Sequence, residues 1–319
     1  MTRYGGTFLN KGLFNLTENE IDEDVRPSEV WSLNTKTLDW SKMPPPGGDK
    51  VVGYRNGGTA HIPEKGLGFF YGGRAGNTTD SEFANWTDID ANQWQSDCLL
   101  TFDMEKNVWT NSSSGLLPVI IPSLLYVPIG KDGILVSVGG ITAFSWSFGW
   151  DTPVVGKILD EIDIYDIANK KWYTQRATGY MPINNTGFCT VIARASDNSS
   201  FNIFLHGGIP TKGAGNAWSD VYVLSLPSFV WTKIETTGTS AGRGGHTCHL
   251  IKNKMIVIGG RGSDQANPAW GGYDKGACDP TPLVNIFDIN TFQWDTDYDP
   301  KDGQSFLVNK SIYKVIGGK

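Results

Sequence analysis

The chain has 319 residues, a formal charge of -6 and a pI near 5.3. With 39 Gly, 12 Trp and only 19% charged residues it reads as one large domain of short strands and many turns. No basic stripe is present to neutralise phosphates, so nucleic acid is excluded as a partner, and no apolar stretch approaches the roughly 20 residues that span a bilayer.

A single pattern recurs along the chain. An apolar or aromatic residue is followed by Asp, Asn or Ser, and Trp stands six residues further on: Leu33-Asn34 with Trp40, Phe102-Asp103 with Trp109, Tyr165-Asp166 with Trp172, Leu224-Ser225 with Trp231, and Phe287-Asp288 with Trp294. A glycine pair precedes each, at Gly5-Gly6, Gly72-Gly73, Gly139-Gly140, Gly207-Gly208 and Gly259-Gly260, and Gly317-Gly318 follows the last. Successive pairs lie 67, 67, 68, 52 and 58 residues apart, a period that signals stacked repeats. Each glycine pair is expected to end a strand where the backbone needs positive φ or close approach. The Asp, Asn or Ser is expected to bond its own backbone and start a turn, and the Trp to wedge against the next repeat.

In chain order, Met1 has no charged and apolar leader behind it. Arg3-Tyr4-Gly5-Gly6 reads as the tail of a strand whose start lies elsewhere. A polar loop from Thr7 to Ser28 follows, and its acidic run from Glu18 to Asp24 reads as solvated. The hairpin Val30 to Trp40 and the Pro44 to Pro46 turn close the first repeat. The second has strands near Gly58 to Ile62 and Leu67 to Tyr71, then a long connection from Arg74 to Asp97 carrying Trp86 and Trp94. The third repeats this with Leu124 to Val127, Ile134 to Val138 and a connection from Ile141 to Asp160 that holds Phe144, Trp146, Phe148 and Trp150. The fourth runs from Phe188 to Ala193 and Phe201 to Leu205, with Trp218 in its connection, to a strand containing Val221 and Val223. The fifth starts at Arg243-Gly244-Gly245-His246, continues through Met255 to Ile258, and has Trp270 and Tyr273 between Arg261 and Pro282. Ser305 to Asn309 is a candidate closing strand, and Ile312 to Ile316 either a competing strand or a short helix.

This glycine-pair and Trp signature resembles the kelch repeat over nearly the whole chain. The resemblance implies an all-β propeller of four-stranded blades around a central channel, about five blades in residues 1–304, with 305–319 closing the propeller or following it. More narrowly, Gln175 to Gly179, Tyr222 to Trp231 and Phe287 to Pro300 resemble the kelch ectodomains of filamentous-fungal cell-surface proteins. Such ectodomains have a signal peptide, a further blade and a membrane segment outside the region matched here. The expectation is a fragment of a six-bladed protein, the alternative a complete five-bladed one.

Four cysteines, Cys98, Cys189, Cys248 and Cys278, fit no zinc spacing. Cys189 and Cys248 fall in first strands of adjacent blades, as a disulfide or as two buried thiols. Asn15, Asn77, Asn85, Asn111, Asn184, Asn198 and Asn309 each begin Asn-x-Ser/Thr, against about three expected by chance, which favours a secretory history for the full-length protein. A cytoplasmic location is the alternative if the chain is complete.

Catalytic signatures are sparse. A copper oxidase on such a scaffold needs two His and two Tyr converging, and the chain offers His61, His206, His246 and His249. His246 and His249 differ by three along a strand, which points them to opposite faces, and His246 reads as a structural hydrogen-bonding group near Arg243. No HExxH motif is present, and Asp160-Glu161 diverge at a strand start. No metal, cofactor or catalytic residue is assigned. Trp86, Trp94, Trp146, Trp150, Trp218, Trp270 and Tyr273, on long connections over a rigid scaffold, suit recognition of a protein partner, or of cell-wall carbohydrate by stacking. Folding down as a local plug is the alternative. The reading is a non-catalytic binding module, with a carbohydrate-active oxidase as its weakest competitor.

Overall fold

The computed structural model describes residues 2–3, 30–76, 79–80, 94–143, 155–183, 185–210, 217–262 and 282–317. They divide into two compact units, residues 1–126 with 141–152, and residues 127–140 with 153–319.

Among the described residues the chain forms five antiparallel meanders of the kind that make propeller blades. The first has three strands, Thr2–Arg3, Trp31–Leu33 and Trp40–Lys42. The second orders Gly58–Ile62, Leu67–Tyr71, Cys98–Asp103 and Val108–Ser113 from one edge to the other. The third uses Ser123–Val127, Ile134–Val138, Glu161–Asp166 and Lys171–Arg176. The fourth uses Cys189–Arg194, Phe201–His206, Val221–Leu226 and Val230–Ile234, and the fifth Thr247–Ile251, Lys254–Ile258, Val284–Asp288 and Gln293–Asp295.

The signature residues are cross-strand partners. Leu33 faces Trp40, Phe102 faces Trp109, Tyr165 faces Trp172, Leu224 faces Trp231 and Phe287 faces Trp294. Ring centroids lie 4.6 Å apart for Phe102 and Trp109, 5.2 Å for Tyr165 and Trp172, and 4.8 Å for Phe287 and Trp294, the tilted geometry aromatic pairs prefer. The fixed spacing exists because the hairpin between the pair is always the same. Its first residue caps the turn: Asp103 Oδ1 accepts from the amides of Glu105 and Lys106 at 3.1 and 2.9 Å, and Asp288 Oδ1 from those of Asn290 and Thr291 at 2.8 and 3.2 Å. Asn34 and Asp166 do the same with Lys36 and Asn169. Four residues after each cap the backbone is left-handed, at Leu38, Asn107, Lys170, Phe229 and Phe292, a conformation that costs a side chain of this kind about 1–2 kcal/mol.

Ser225 departs from the expected pattern. Its hydroxyl donates to Asn202 Oδ1 at 2.7 Å, whereas the other caps accept from the amides of their own turns, while its carbonyl still accepts from the Phe229 amide. Asn202 and Ser225 are directly opposed across Phe201–His206 and Val221–Leu226, two strands in which every residue is buried, so each needs a partner and takes the other.

Trp109, Trp231 and Trp294 pack onto the preceding sheet rather than the next. Trp231 Nε1 donates to the carbonyl of Leu159 at 2.8 Å, and Trp294 joins a cluster with Val191, Phe204 and Val221 of the fourth sheet. Trp109 is likewise buried with Val30 and Val51, whereas Trp40 is half exposed. The linker that enters each sheet seals this contact. Gly47–Gly48 runs parallel to Val108–Trp109, Thr178–Gly179 to Val230–Trp231, and Thr237 to Gln293. Gly48 and Gly179 have φ of 87° and 91°, and a Cβ on either would strike the carbonyl oxygen of Trp109 or Trp231.

The fourth sheet is covered on both faces. The fifth buries Met255 and Val257 on one face and leaves Ile251 and Ile258 exposed. Residues 305–309, where a closing strand was a candidate, carry no strand. Phe306 packs at 5.9 Å from Phe204, and Lys310–Ile316 is a helix capped by Asn309, with Ile312 fully buried in the same cluster. All eight glycines of the pairs at 72, 139, 207 and 259 have positive φ, as expected.

Asp288 ties this frame to pH. Burial raises its pKa, but hydrogen bonds from Lys254, the Asn290 amide and Asn253 outweigh that and hold it below the usual carboxylate range. Its stabilisation is therefore complete above the unfolded value near 3.9 and is lost as pH falls through the lower folded value. Asp288→Asn is expected to cost about 1 kcal/mol in urea denaturation at pH 7, with the difference from wild type shrinking at pH 3.

Candidate functional site

Each long second-to-third-strand connection is rooted in backbone hydrogen bonds beyond its glycine pair. In the second sheet Arg74–Ala75 pairs with Trp94–Gln95, and Arg74 also bridges to Arg55. Asp80 adds an anchor by accepting from the Gly53 amide at 2.7 Å. In the third, Ile141 bridges to Ile120. In the fourth, Ile209–Pro210 pairs with Asn185–Thr186, and in the fifth Gly244 bridges to Arg261. The residue after the glycine pair thus always meets a residue ahead of the first strand. The paired glycines turn the chain sharply enough for these bridges to form, and no side-chain pattern in the sequence marks them.

Of the residues singled out for recognition, Trp86, Trp146, Trp150, Trp270 and Tyr273 lie outside the described residues. Trp94 opens the short strand that pairs with Ala75. Trp218 is in view: the residue is 37% exposed while its backbone is clamped, the amide donating to Gly208 O at 2.8 Å and the carbonyl accepting from Arg243 N at 3.1 Å. Arg243 is fully buried. Its guanidinium donates to the carbonyls of Gly259, Pro282 and Leu283 at 3.0, 3.1 and 3.3 Å, so one side chain holds both ends of the fifth connection. That role was not legible in the sequence beyond the RGGH string itself.

The histidines separate into two kinds. His61 and His249 are exposed, and His206 and His246 are buried against one another, Nδ1 to Nε2 at 3.1 Å. The expected opposite facing of His246 and His249 is observed, and His246, close to Arg243 as expected, makes its hydrogen bond to His206. The Trp294 ring lies 4.8 Å from the His206 ring. Burial lowers the pKa of both, the charges of His246 and Arg243 lower His206 further, and His246 falls to about 4, so both rings are neutral at pH 7. Beside them Cys189 and Cys248 form a disulfide that joins the first strand of the fourth sheet to that of the fifth. Cys98 is free.

Among the described residues, Asp160 and Glu161 do not assemble into an acid and base pair. Glu161 is exposed, and Asp160 lies 3.8 Å from Arg176. Asp163, which the sequence reading passed over, is buried in an ion pair with Lys157 and accepts from Thr174 Oγ1 at 3.0 Å. No helix among the described residues is long and apolar enough to cross a membrane.

Repeated four-stranded meanders with a shared hairpin, a shared Trp seat and rooted connections define a β-propeller. The KLHDC2/KLHL20/DRC7 Kelch-repeats domain matches residues 135–319, and the chain belongs to this kelch-repeat family. It is similar to a Kelch repeat-containing protein of Arthroderma benhamiae, 28% identical over 95% of this chain and 46% of that protein. It is also similar to Kelch domain-containing protein 3 of Rattus norvegicus, 24% identical over 62% of this chain and 49% of that protein. Host cell factor 1 of Homo sapiens is 25% identical over 35% of this chain and 5% of its own length. The chain therefore spans about half the length of the first two.

The Cys189–Cys248 link closes a sequence separation of 59 residues. Removing it with Cys248→Ser is expected to cost about 2–4 kcal/mol in chemical denaturation, through the freedom returned to the unfolded chain.

Proposed function

We propose that this chain is a non-catalytic recognition module that holds a protein partner on the connections between second and third strands. The observation that carries this is Trp218, an exposed aromatic on a backbone fixed on both sides by hydrogen bonds. A large ring presented without loss of backbone freedom is the kind of group that anchors an interface. Kelch-family membership supports the reading, and so does the wealth of aromatic residues in the other connections. Trp218→Ala is expected to weaken partner binding by about 2 kcal/mol, roughly thirtyfold, with thermal stability unchanged. The measurement is calorimetric titration against the protein recovered by cross-linking on the native host. Unaltered affinity would remove Trp218 from the interface, and binding only to cell-wall polysaccharide, read by Trp fluorescence quenching, would replace the protein partner by a carbohydrate.

We also propose that the full-length protein is secreted or displayed at the cell surface. The excess of glycosylation sequons and the disulfide support an oxidising compartment. Asn111 and Asn198 are exposed and accessible to a glycan. Asn309 donates through Nδ2 to Asn290 O at 2.8 Å and caps the helix through Oδ1, so a glycan on Nδ2 would crowd the Asn290 contact. Peptide mass mapping of the native protein is expected to find sugar on Asn111 and Asn198 and none on Asn309. Unmodified peptides at both exposed sites would refute a surface location.

A further inference from the structure

The buried corner between the fourth and fifth sheets holds more donor chemistry than a disulfide uses. Cys189 and His206 oppose one another across Cys189–Arg194 and Phe201–His206, while His246 and Cys248 stand two residues apart leading into Thr247–Ile251. One ligand atom from each of Cys189, His246 and Cys248 lies within 4.8 Å of the other two. His246 is only 6% exposed, and with Nε2 engaged by His206 its Nδ1 has no hydrogen-bond partner among the described residues. A buried polar atom without a partner is costly, and neither the cross-link nor the packing accounts for this one. Two thiolates and a neutral imidazole are the donor set that zinc takes, at about 2.3 Å for sulfur and 2.0 Å for nitrogen.

We propose that reduction of the Cys189–Cys248 disulfide turns this corner into a zinc site, with Cys189 Sγ, Cys248 Sγ and a ring nitrogen of His246 as ligands. His206 is a positioning residue, fixing the His246 ring through its hydrogen bond. A dithiol reductant supplies two electrons and becomes a disulfide itself, and the protein's S–S bond breaks to two thiols. Zinc binding then forms two Zn–S bonds and releases the two thiol protons to water, leaving a neutral dithiolate centre completed by water. The cation replaces the cross-link, holding the same two strands in a reducing environment where the disulfide does not survive.

The test uses the full chain carrying Cys98→Ser and Cys278→Ser, so that the pair is its sole source of thiols. Cobalt(II) is the probe, added to protein reduced with a phosphine, which is oxidised to its oxide. One equivalent is expected to bind, with thiolate-to-metal absorption in the near ultraviolet and visible bands of tetrahedral cobalt, and zinc is expected to displace it. The oxidised protein is expected to show neither. Cys189→Ser and Cys248→Ser should each lose at least tenfold in affinity. His206→Gln should weaken binding about 10–100-fold and shift the visible bands while retaining the thiolate absorption. Zinc should also raise the melting temperature of the reduced wild type and not of Cys189→Ser. Reduced protein that binds no cobalt, whether folded by circular dichroism or unfolded, overturns the proposal. So does binding that persists unchanged in Cys189→Ser.

Discussion

Everything else in this chain depends on the pairing of a tryptophan with the residue facing it across a capped hairpin. Five times a third strand ends in a residue that turns the backbone, and the return strand places Trp directly opposite an aromatic or Leu. A strand pair of this kind is marginal alone, because one face of each ring stays uncovered. The rings become buried where a preceding sheet supplies a floor, as Leu159 does for Trp231 and as Val191 and Phe204 do for Trp294. Trp40 shows the converse: the hairpin and register are the same, yet the ring is half exposed. Local chemistry builds the hairpin, and stacking makes it stable.

Connections inherit their rigidity from this arrangement. The glycine pairs let the chain leave a sheet, turn and pair again with the segment ahead of the first strand, so each long connection begins from a short ribbon rather than a free end. Arg243 does by side chain what the ribbons do by backbone. Its guanidinium is desolvated, and the carbonyls of Gly259, Pro282 and Leu283 take the place of water. Such a base lets the connections vary in sequence without disturbing the sheets, the condition that makes a scaffold useful for recognition.

The same corner explains why two histidines stay neutral inside the protein. His206 and His246 satisfy one nitrogen of each other, and burial together with the Arg243 charge disfavours protonating either. Next to them the Cys189–Cys248 link joins the first strands of two consecutive sheets. Covalent, aromatic and hydrogen-bonded contacts thus converge on one junction of the second unit.

The sequence by itself determined the repeat, the strand class and the hairpin chemistry, because those rest on residues close together in the chain: Asp103 with its own turn, Trp109 seven residues from Phe102, Gly207 and Gly208 at a strand end. It also made Trp218 legible as a loop aromatic. Only the tertiary structure decided that the Trp faces the preceding sheet, that Ser225 turns away from its hairpin to satisfy Asn202, that His206 is the partner of His246, that Cys189 and Cys248 are bonded, and that residues 310–316 are a helix packed on Phe204's cluster. Each of those outcomes depends on which groups burial brings together across tens of residues. A spacing rule carries no information about partners that distant, and burial alone sets the cost of leaving them unsatisfied.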